Sequence, residues 1–113
     1  MAGSTQVQSL SGYSGSLTTV SGGTQATGLQ LTNGINFIGV VTAANDGVTL
    51  PATAIGVTGI VIRNNSATNA LTVYPPVGGT INAQAANAGF SLAAATAVAF
   101  FPVSSTGLGF ISN

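Results

Sequence analysis

The stretch Val57-Thr58-Gly59-Ile60-Val61-Ile62-Arg63, then Asn64-Asn65-Ser66-Ala67-Thr68-Asn69, then Ala70-Leu71-Thr72-Val73-Tyr74 decides the fold class. In an extended chain, Ile60 and Ile62 fall on one face while Val61 and Arg63 fall on the other. The residues are β-branched where a strand wants them, and the polar run between the two apolar segments is rich in turn formers. Residues 57–74 therefore read as a β-hairpin. Pro75-Pro76 ends the second strand, because proline has no N–H to give to a ladder.

Working outward, the same grammar repeats. Upstream, Thr24–Thr32 alternates in part through Ala26, Leu29 and Leu31, and Asn33-Gly34 marks a turn. Ile35-Asn36-Phe37-Ile38-Gly39-Val40-Val41 is β-branched and aromatic, with Gly39 placed as a bulge. Asn45-Asp46-Gly47 reads as a turn and Val48-Thr49-Leu50-Pro51 as a short strand. Downstream, Val77-Gly78-Gly79 turns the chain into Thr80-Ile81-Asn82, and Ala83–Ala88 has room for one helical turn. Phe90-Ser91-Leu92 and Ala97–Val103 are strands on either side of an alanine-rich connection, and Gly109-Phe110-Ile111 is the last strand. No segment carries a sustained helical stripe. About eight short strands with regular turn signals predict an all-β fold, a small antiparallel β-sandwich or barrel. Phe37, Phe90, Phe100, Phe101 and Phe110 are assigned to its core.

Residues 1–23 differ. They are rich in Ser, Gly and Thr, and their few apolar residues are Val7, Leu10, Tyr13, Leu17 and Val20. Gly12, Gly15, Gly22 and Gly23 disfavour a helix there. The predicted organisation is an extended N-terminal arm over 1–23 and a β-module over 24–113.

Charge sets the functional limits. Only 2% of the 113 residues are charged, against about 25% in an ordinary soluble domain. Asp46 and Arg63 are the whole inventory, and His and Cys are absent. Acid–base catalysis needs titratable groups, and triads need a His or a thiol, so an enzyme is not expected. Metal sites want His, Cys or clustered carboxylates, and no cofactor is expected. Nucleic-acid affinity comes from Lys and Arg on phosphates, which argues against that partner. The longest apolar run, Ala93–Val103, is broken by Thr96 and Pro102 and is too short for a membrane helix. Met1–Gln6 has no basic region ahead of an apolar block, so no secretory signal is read there. Near-zero net charge removes the repulsion that keeps soluble chains apart, which favours association.

The remaining motifs have plain readings. Gly56-Val57-Thr58-Gly59 and Val77-Gly78-Gly79-Thr80 lack the helix and Lys of a phosphate loop and read as turns. Asn64-Asn65-Ser66 matches a glycan acceptor but is better read as a turn. Abundant Thr and Asn reflect strand and turn preference, since no fixed Thr repeat recurs. Asp46 and Arg63 are candidates for an ion pair, within the fold or between subunits; the alternative is two unrelated charges.

A resemblance rests on Gly47-Val48-Thr49-Leu50-Pro51-Ala52, Val61-Ile62-Arg63-Asn64-Asn65, Ala70-Leu71-Thr72-Val73-Tyr74-Pro75-Pro76, Gly78-Gly79-Thr80-Ile81-Asn82, Ala86-Asn87 and Phe90-Ser91-Leu92-Ala93. This succession resembles a β-module of tailed-bacteriophage virion proteins, most closely the small capsid cement, or decoration, proteins. It covers residues 24–113, and Leu108-Gly109-Phe110 stands where such modules often carry an aromatic such as Trp. The resemblance implies a homotrimer that binds the major capsid protein on the outer capsid surface and stabilises the head. The chain would be made in the host cytoplasm and end in the virion. The same module occurs in tail and fibre proteins, so a receptor- or glycan-binding role is the alternative it leaves open.

Overall fold

The computed structural model describes residues 12–53 and 59–113. These form ten strands: β1 (Tyr13–Thr18), β2 (Leu29–Gln30), β3 (Ile35–Val40), β4 (Asp46–Thr49), β5 (Ile60–Asn64), β6 (Leu71–Tyr74), β7 (Thr80–Ile81), β8 (Phe90–Leu92), β9 (Thr96–Pro102) and β10 (Gly109–Ser112). Two sheets result, one of six strands in the order β1-β3-β5-β9-β10-β7 and one of four in the order β2-β4-β6-β8. The all-β expectation is met.

The pairing is not the expected antiparallel one. Five pairings are parallel and three antiparallel. The chain crosses from the six-stranded sheet to the four-stranded one four times, through β1 to β2, β3 to β4, β5 to β6 and β7 to β8. The first three crossings are arches that stack in parallel: Tyr13 stands beside Ile35 and Ile35 beside Val61, while Leu29 stands beside Val48 and Val48 beside Val73. Residues 60–74 are therefore not a hairpin. Ile60 and Ile62 meet Leu71 and Val73 across the core instead of hydrogen-bonding edge to edge, and all four are fully buried. Positions 57 and 58 of the expected hairpin lie outside the described residues. The chain then reverses: β8 runs antiparallel to β6, β9 antiparallel to β5, and β10 forms a true hairpin with β9.

The β-module begins earlier than predicted. Tyr13–Thr18 is a strand of the six-stranded sheet, hydrogen-bonded beside β3, so the module extends N-terminally to include it. Of the predicted arm, residues 1–11 lie outside the described residues. Gly39 is the extra residue between Ile38 and Val40 where they face Leu17 and Thr18. A β-carbon there would run into the Ser16 hydroxyl, which explains the glycine at this bulge.

The core lies between the sheets and is built from the inward residues of both, among them Ile38, Ile60, Ile62, Phe100 and Phe110 on one side and Val48, Leu71 and Val73 on the other. Phe90 packs on it from the edge, edge to face with Phe100 at 5.2 Å between ring centres. Phe37 and Phe101 do not belong to the core. Successive strand residues point to opposite faces, so Phe101 must point out once Phe100 points in. Residues 83–88 form turns instead of a helical turn, with Asn82 just before the segment and Asn87 within it at φ 57 and 68, a conformation Asn tolerates better than most residues.

Candidate protein-binding surface

Two parts of the sandwich use polar and apolar groups in unusual places. The first is the rim where the arches cross. Asp46, at the start of β4, is only 1% exposed. Its Oδ2 accepts from Thr19 Oγ1 at 2.7 Å, Thr42 Oγ1 at 2.6 Å and the Ala43 N–H at 2.9 Å, while Oδ1 accepts from the Gly22 N–H at 2.8 Å. Burial pushes the carboxyl pKa up, but the bonds from Thr42, Thr19, Ala43 and Gly22 outweigh it and hold the group down to about 2. One carboxylate thus fastens the first arch to the second.

The next arch is fastened by asparagines. Asn69 Nδ2 donates to Val41 O at 2.9 Å. Asn64, fully buried at the end of β5, shares its Nδ2 among Asn69 O at 2.9 Å and Leu92 O and Ala93 O at 3.2 Å each. Its Oδ1 accepts the Ser66 N–H at 3.0 Å, which is the turn read at Asn64-Asn65-Ser66 and leaves the Asn64 amide enclosed. A polar column thus runs through the three parallel arches. The sequence shows Asp46 and Asn64 as turn residues, but Thr19 and Gly22 lie too far along the chain to be recognised as their partners.

The second part is the outer face of the six-stranded sheet. Outward positions in register across the strands carry Tyr13, Ile35, Val61 and Ala99, then Phe37 and Ala97 flanking Arg63, then Phe101 beside Ile111. Tyr13 is 63% exposed, Ile35 49%, Ile111 45% and Phe101 43%. Isolated exposed apolar residues are ordinary; here they lie in register on one face of one sheet, which makes that face a candidate contact surface.

The two charges do not pair within the fold. Asp46 is enclosed at the rim by hydroxyl and amide donors, whereas Arg63 projects from the outer face and donates Nη1 to Ala95 O at 3.0 Å. Ala95 has φ 60, a strained conformation for a residue with a β-carbon, and Arg63 holds its carbonyl. The outer face can bury apolar area and offer one guanidinium; it presents no carboxylate. No helix of the described residues is long and apolar enough to cross a membrane. No family model, curated protein or solved structure matches the chain.

Proposed function

We propose that the protein is a structural component of a phage virion, a capsid cement protein that docks on the major capsid protein and braces the head. The observation that carries this reading is the outer face of the six-stranded sheet, rich in exposed apolar residues and marked by a single charge. Such a face associates without long-range repulsion and gains free energy by burial. The stacked arches behind it, fastened at the rim by Asp46, Asn64 and Asn69, give a rigid platform, which lowers the entropy lost on docking. Many identical copies on one shell, as homotrimers, add avidity, so each contact can be weak. A glycan-binding tip is less well supported, because sugar recognition wants polar groups converging around exposed aromatics and this face offers few.

Purified particles carrying the protein test the proposal by quantitative mass spectrometry and cryo-EM. The expected result is a copy number in proportion to the capsid protein and density on the outer shell. A few copies per particle, or density at the tail alone, would overturn it.

A further inference from the structure

The side chains carry one cation, Arg63, and one anion, Asp46, and the net charge is zero. Two copies of the chain therefore meet without long-range repulsion, and an exposed apolar face under those conditions is drawn to its own copy. What opposes that pairing is local. Arg63 takes an outward position on β5, in register between Phe37 on β3 and Ala97 on β9, one step along the strand from the row of Ile35, Val61 and Ala99. Its Nη1 donates to Ala95 O at 3.0 Å, which ties the group to this surface instead of leaving the long side chain to swing away. An apolar contact that spreads over Phe37, Val61 and Ala99 takes in the guanidinium as well.

A second copy has nothing to set against it. Asp46 is the one acidic side chain, and it is buried at the rim, accepting from Thr19, Thr42, Ala43 and Gly22. Two copies closed face to face through this sheet bring together two guanidinium groups and no free side-chain carboxylate. A charge covered without a counter-charge costs far more than one left in water, and like charges add repulsion. A different chain escapes that cost by placing an Asp or Glu opposite Arg63, where the planar fork can hold both carboxylate oxygens.

We propose that Arg63 selects the occupant of the outer face: it bars a second copy of this chain and admits another protein that sets an acidic side chain against it. Arg63 has this role only if the outer face is a docking surface, which is the reading proposed above. The contacts within a homotrimer then fall on other surfaces of the module.

Sedimentation equilibrium of the full chain, of Arg63→Gln and of Arg63→Lys tests the exclusion of a second copy. Glutamine keeps a donor for Ala95 O and loses the charge, whereas lysine keeps the charge. The parent chain and Arg63→Lys should hold one mass across a concentration series. Arg63→Gln should shift toward a doubled mass, associating on the order of tenfold more tightly. Adding Ile35→Lys to Arg63→Gln returns a cation to the same face and should restore the single mass. An Arg63→Gln mass that matches the parent's overturns the exclusion, as does a gain that Ile35→Lys leaves in place. A parent chain that itself associates, and ceases to when Ile35→Lys is introduced, overturns it too. Capsid shells stripped of the protein are the probe for the acidic partner. The parent should load, and Arg63→Gln should load several-fold less at low salt. Equal loading overturns the acidic partner. A parent chain that does not load at all overturns the virion reading instead, and the masses in solution still decide whether Arg63 bars a second copy.

Discussion

The rim and the outer face of the six-stranded sheet invert the usual arrangement of a soluble domain. At the rim, a carboxylate and two asparagine amides are enclosed and bonded. On the outer face, Ile35, Phe101 and Ile111 stand in the open. The rim is complete within the chain. The face is not, because nothing among the described residues covers it. The two charged residues fall on opposite sides of that contrast: Asp46 is enclosed by four donors, whereas Arg63 stands on the surface with a bond to Ala95 O.

The largest effect expected on this contrast is at Asp46. Asp46→Asn sets an amide against donors that need an acceptor and removes charge-assisted bonds to both arches. A loss of about 2–4 kcal/mol is expected, read as a fall in Tm of roughly 10 °C or more by calorimetry. The pH dependence follows from the lowered pKa. The unfolded carboxyl titrates near 3.8 and the folded one near 2, so its contribution is fully present above the first value and is lost as pH falls through the second. The gap in Tm between the parent chain and Asp46→Asn should therefore close between about pH 4 and pH 2. A gap that persists in acid would show that the arches are held by something other than the carboxylate.

A smaller effect is expected at Asn64. Asn64→Ala leaves the Ser66 N–H and the carbonyls of Asn69, Leu92 and Ala93 without the amide that joins them. The expected cost is about 1–3 kcal/mol, measured by urea denaturation with an unchanged m-value. A change in m would mean that the crossing itself has opened.

These two residues also mark where the sequence is legible and where it is not. The alternation Ile60-Val61-Ile62-Arg63 is enough to give the strand, its inner face and the outward position of Arg63. It does not give the sheet. Ile60, Ile62, Leu71 and Val73 alternate identically whether β5 and β6 bond as a hairpin or face each other as an arch. The choice is made by β3 and β4, which lie far along the chain and offer each strand a parallel neighbour. Phe101 was misplaced for a related reason: two adjacent phenylalanines look like core until the strand's alternation is applied to them. The outer face is invisible in the sequence because it is assembled from five strands, each contributing one to three residues. Asp46 looked like half of an ion pair because Arg63 is the only cation. Its actual partners are hydroxyl and backbone donors, which carry no signature in a sequence rich in Thr and Gly.

The smallest effect on the fold, and the sharpest test of the contrast, belongs to Arg63. Its one bond within the chain, to Ala95 O, is on the exposed surface, and Arg63→Gln should change stability by no more than about 0.5 kcal/mol. If the outer face docks on a partner, the guanidinium enters that contact and has no side-chain carboxylate from its own chain to meet, since Asp46, the only acidic side chain, is enclosed. Its counter-charge must come from the partner, and an ion pair at the border of an apolar contact makes binding weaken with salt. Particles stripped of the protein and re-loaded at low and high salt provide the measurement. The parent chain should lose occupancy as salt rises, and Arg63→Gln should bind less at low salt and respond less to added salt. Equal occupancy and an equal salt response would confine Arg63 to holding the strained Ala95 turn, and the outer face would then act through its apolar residues alone.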